Sequence, residues 1–115
     1  NVCAVGGRLY GIGPKQEGDK VFRLENGGWV PISSGRSRVV AVDSGVVYTV
    51  GVDFTKNDPW VYKQDLETMS VYSKWVKAFK AGGSFPPCSG LAVIEGGSAA
   101  LAVFDGRILR MNVAE

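Results

Sequence analysis

Apolar side chains recur in short alternating runs along this chain, and glycine-containing steps separate the runs. Alternation with a period of two marks a half-buried strand, and no longer window carries the 3.6 period of an amphipathic helix. The pattern predicts strands over 2–5, 8–12, 20–25, 29–32, 38–42, 46–50, 60–64, 69–75, 91–94, 99–104 and 107–113. The stretch 76–81 (VKAFKA) reads either as a helical turn or as a continued strand. Asn26-Gly27 is the strongest hairpin signal, because a type I′ turn needs φ > 0 at both central residues. Asp43-Ser44-Gly45, Glu95-Gly96-Gly97 and Asp105-Gly106 punctuate further turns. The expected fold is therefore all-β, a single domain over 1–115 built from successive antiparallel hairpins.

The runs also repeat. One unit reads apolar strand, glycine turn, strand with a central Tyr, polar loop, apolar strand ending in a charge, turn, and Trp. Its first copy holds Gly6-Gly7, Tyr10, Val21-Phe22-Arg23, Asn26-Gly27 and Trp29. Its second holds Asp43-Ser44-Gly45, Tyr48, Val61-Tyr62-Lys63 and Trp75. Tyr10 to Tyr48 is 38 positions and Phe22 to Tyr62 is 40. A third copy begins at Leu91, runs through Ile108-Leu109-Arg110 and lacks a fourth strand. The units cover about 1–35, 36–80 and 90–115.

Four strands in a period of roughly 40 to 50 residues match a β-propeller blade. The pattern V-A-V-D-x-G-V-V-Y (40–48) followed by W-V-Y-K (60–63) resembles the tectonin-type repeat. Gly6-Gly7 with Tyr10 and Trp29 resembles the kelch type, and Asp43-x-Gly45-x-x-Tyr48 more loosely resembles a sialidase-type Asp box. The eleven strands amount to about 2.75 blades, fewer than the roughly 4 to 8 of a closed ring. Three solutions stand open: two chains pairing head to tail into a homodimer, a fragment of a longer propeller, or a single small β-sandwich or barrel without true blades.

Composition narrows the chemistry. Apolar residues make up 45% and charged residues 21% of the chain, as in ordinary globular domains. Histidine is absent, which removes His-dependent nucleophile triads, His-ligated zinc and an imidazole base. The net charge of +2 comes from scattered residues and argues against a nucleic-acid partner. The densest basic cluster, Arg36 and Arg38 with Lys74, Lys77 and Lys80, reads as a solvated face. No apolar run is long enough for a membrane-spanning helix. The chain begins at Asn1 rather than Met and holds two cysteines, Cys3 and Cys88. Together these give the expectation of a secreted, extracellular protein with one Cys3–Cys88 disulfide, two buried free thiols being the alternative.

No cofactor or metal site is expected, and no enzyme. The carboxylates Glu17 with Asp19, Asp65 with Glu67, and Asp53 with Asp58 read as turn residues rather than catalytic pairs. Asp53, Asn57 and Asp58 lack the spacing of a calcium loop. Gly11-x-Gly13 lacks the helix of a dinucleotide site, and Ser34-Gly35-Arg36 is a turn without a base. The segment 52–60 (VDFTKNDPW) is the most informative for binding. It sets Trp60 beside Lys56, Asn57 and Asp58, an aromatic plate with polar readers, as a sugar ligand requires. The tectonin resemblance likewise implies glycan recognition. The expected function is thus a lectin-type binding protein whose partner is a glycan or glycoprotein. The alternative is a secreted protein-interaction module or effector without a sugar site; a hydrolase using Asp53 or Asp58 ranks last. Trp29 and Trp75 follow the repeat and are expected to pack.

Overall fold

The computed structural model describes residues 2–5, 8–13, 20–51, 60–80, 88–104 and 107–112. Eleven strands are described. They are β1 (Val2–Val5), β2 (Arg8–Ile12), β3 (Val21–Glu25), β4 (Gly28–Pro31), β5 (Ser37–Asp43) and β6 (Val46–Gly51). After them come β7 (Trp60–Asp65), β8 (Val76–Lys80), β9 (Cys88–Ile94), β10 (Ala99–Phe104) and β11 (Arg107–Asn112). They form three antiparallel sheets in chain order: a first of β1–β4, a middle of β5–β8 and a last of β9–β11. Every strand pairs only with its neighbours in sequence.

The turns follow the residues that make them. Asn26 (φ 48) and Gly27 (φ 81) both adopt the left-handed conformation of a type I′ hairpin, as do Ser44 (φ 51) and Gly45 (φ 77). Asn tolerates that region because its short polar side chain bonds locally, and glycine because it has no Cβ.

One expected strand is displaced. Residues 69–75 form no strand, and the partner of β7 is β8, within the stretch that read as helical turn or strand. Two apolar side chains of this loop, Met69 and Trp75, are drawn onto the core between the first and middle sheets. Ser73 holds the loop in place: its hydroxyl donates to the Gln64 side chain, while its carbonyl accepts from Ser34 Oγ at 2.8 Å. Trp75 Nε1 also donates to the Ser34 carbonyl at 3.0 Å. The linker between the first two sheets is thereby tied to the β7–β8 loop.

The middle sheet is covered on both faces. One face carries Val39, Tyr48, Val50, Val61 and Phe79 against Ala100, Ala102 and Met111 of the last sheet. The other carries Val40 and Val47 against Tyr10, Val21 and Ile32 of the first sheet and its linker. Strand β5 lies against β9 on one side and against β1 and β2 on the other, so the first strands of the three sheets converge. The radius of gyration, 13.2 Å, matches the roughly 13 Å expected of one compact domain this size. Among the described residues the sheets close neither into a ring nor into a barrel. Cys3 stands on β1 and Cys88 on β9, in the two outer sheets; their side chains lie outside the described residues.

Candidate functional site

Trp60 opens β7, and alternation along that strand sends Val61 into the core while Trp60 and Tyr62 turn to the opposite face. Trp60 is half-buried. Its neighbours come from β8, where the register runs Trp60 to Lys80, Val61 to Phe79 and Tyr62 to Lys77. Ala78 is left over between the last two pairs, as a β-bulge. The bulge has a chemical consequence. In a regular strand, residues three apart point to opposite faces. Here Ala78 and Phe79 both enter the core, and Lys77 and Lys80 both emerge beside Trp60. The Lys77 ammonium lies over the indole at 4.8 Å from its centroid, and that of Lys80 at 5.9 Å.

The arrangement is an aromatic plate with two ammonium groups above it. Each cation–π contact at an exposed site stabilises by about 0.5–1 kcal/mol. Neither lysine pairs with a carboxylate among the described residues. A ligand that stacks on Trp60 therefore meets two cations whose charge the described fold does not neutralise. Lys56, Asn57 and Asp58 lie outside the described residues, so of the predicted binding set only Trp60 has a described position.

The lysines were legible only as a basic, solvated face. Their convergence depends on the bulge, which a strict period of two does not contain. A K-x-x-K spacing around the apolar pair Ala78-Phe79 is the signal that would have revealed it.

A second feature lies on the first sheet. Its outer face, turned away from the middle sheet, carries Val2, Leu9, Phe22, Leu24, Trp29 and Pro31. A cavity of about 820 Å³ opens there, lined in part by Val2, Phe22, Trp29, Pro31 and Lys20. Phe22 lies with its ring against Gly13, where a Cβ would collide with it. Trp29, expected to pack, is 48% exposed, because nothing described covers this face; Trp75 packs as expected.

No family model, curated protein or solved structure matches the chain.

The remaining candidate groups are structural. Ser34 is spent on the linker bond to Ser73, and Gly35 (φ 75) turns the chain beneath Trp75. Burial raises the Tyr48 hydroxyl above its ordinary pKa, and the nearby Asp43 carboxylate raises it further. Both act against ionisation, which suits a core tyrosine rather than a base. No group of three metal-ligating side chains occurs among the described residues, and no helix among them is long and apolar enough to cross a membrane.

Proposed function

We propose that this chain is a non-enzymatic recognition module of propeller-blade type that binds a glycan at Trp60. The observation that supports this is the half-buried indole at the start of β7, flanked by the ammonium groups of Lys77 and Lys80. Trp60 stacks on the apolar face of a sugar ring, and Lys56, Asn57 and Asp58, just before it in sequence, read the hydroxyls. The two lysines direct the preference towards sugars carrying carboxylate or sulfate. Such a group takes over the ammoniums from the indole and leaves the ring free to stack.

Glycan-array binding followed by titration calorimetry tests the proposal. Trp60→Ala is expected to abolish binding while far-UV circular dichroism stays unchanged; retained binding overturns it. Lys77→Ala with Lys80→Ala is expected to weaken acidic glycans by about tenfold per lost charge-assisted bond, and neutral ones far less.

The second reading, a protein-interaction module, draws on the apolar outer face of the first sheet. Competition with soluble sugar separates the two, since only the glycan site responds to it. Secretion and a Cys3–Cys88 bridge belong to the same proposal. Intact mass after alkylation without reductant is expected to show neither thiol modified; two alkylated cysteines remove the bridge.

A further inference from the structure

The stack of three sheets ends in two apolar faces. The outer face of the first sheet presents Val2, Leu9, Leu24 and Trp29, with Val2 61% and Trp29 48% exposed. The outer face of the last sheet presents Ala92, Ile94, Leu101, Val103 and Ile108, with Ile108 73% exposed. Their inward faces are apolar as well, and the middle sheet shows what such strands do: it is covered on both sides. Each is as large as the largest apolar patch on a typical monomer, and patches of that size often serve binding.

We infer that a second copy of this chain covers both faces, with the first sheet of each copy packed on the last sheet of the other. This rests on the faces alone and not on the glycan reading. Three observations favour this occupant. The two faces match in size: four strands of about five residues and three strands of about six each span about 300 Å² at the usual spacings of about 4.8 and 3.3 Å. The pairing repeats a contact the fold already makes twice, sheet face on sheet face. And a two-fold arrangement makes that contact twice, so four faces covering about 1,200 Å² in projection reach the lower range of stable interfaces. The charged side chains described on these faces, Lys20 and Arg110, stand at the margins: Lys20 just before β3 and Arg110 on the edge strand β11. Under a two-fold axis the pairing is isologous, first sheet on last and last on first, so it closes at two copies and does not propagate into filaments.

Light scattering after gel filtration tests this, with the variants Trp29→Glu and Ile108→Glu. Both side chains are exposed, so both variants are expected to retain the wild-type circular dichroism. The wild type is expected at about 25 kDa, twice the 12.3 kDa of the chain. Each variant alone is expected near 12.3 kDa. A monomeric wild type overturns the inference. So does a dimer broken by only one of the two substitutions, which would mean like faces pairing.

Discussion

Phe79→Ala tests the packing on which the whole stack depends. Phe79 is 1% exposed, faces Val61 across the β7–β8 ladder and lies with its ring 5.7 Å from that of Tyr48. It fills the space between the middle and last sheets together with Ala100, Ala102 and Met111. Alanines are small and already buried, so they cannot move into the void. Truncating a buried phenylalanine into a cavity that does not collapse costs about 3–5 kcal/mol. A domain of this length holds about 6–17 kcal/mol in total. The variant therefore loses about a fifth or more of its stability and still folds in all but the most marginal case. Urea unfolding followed by tryptophan fluorescence should show the midpoint falling by about 2–3 M, taking a slope of about 1.5 kcal/mol/M. Phe79→Leu, which keeps most of the volume, should cost less than about 1.5 kcal/mol. The comparison belongs at one protein concentration, because association adds a concentration-dependent contribution. A Phe79→Ala midpoint within 0.5 M of wild type, taken as about 0.7 kcal/mol at that slope, would mean that no packed core joins the two sheets.

Three further outcomes are expected. Trp75→Phe loses the indole donor to the Ser34 carbonyl and should destabilise by about 1–2 kcal/mol in the same urea assay; no change would show that the linker is held by other contacts. Ser33→Ala strips the buried Val21 N–H of its acceptor at 2.9 Å and should cost about 1–3 kcal/mol, read as a lowered melting temperature. Tyr48 keeps its proton more tightly folded than unfolded, so its contribution is whole below about pH 10 and lost as the pH rises from there through the raised folded value. Melting curves from pH 8 upwards should therefore fall less steeply for Tyr48→Phe than for wild type; identical slopes would remove this residue as the cause.

The strands were legible where one local rule sufficed. Asn26-Gly27 announced its hairpin because only residues that tolerate φ > 0 serve there, and the structure holds both in that region. The loop before β8 was not legible. Met69 and Trp75 have strand-like spacing, but burial against the neighbouring sheet and the Ser73 bonds outweigh that preference. The same gap hid half of the candidate site, since the Lys77–Lys80 pair meets only through the Ala78 bulge, a product of two strands rather than of one. Trp29 and Trp75 were expected to match as repeat positions, but Trp29 lies on β4 at the outer face while Trp75 lies in the loop before β8, between sheets, and the two differ in exposure accordingly. The stacking itself was readable in principle: β2 and β3 carry apolar side chains on both faces, Tyr10 and Val21 on one, Leu9 and Phe22 on the other. A sheet of that kind needs two covers.

Because each strand pairs only within its own sheet, the sheet is the unit by which this fold can be lengthened or shortened in descent. An in-frame duplication of about 40 residues, the distance from Phe22 to Tyr62, adds one complete ladder and severs none. The new sheet meets its neighbours through packed side chains and a few hydrogen bonds to loop carbonyls, so its sequence can diverge before any strand register has to be relearned. Tyr10 and Tyr48, 38 positions apart, each stand on the second strand of their own sheet, so a step of about that length carries the chain from one ladder to the matching place in the next.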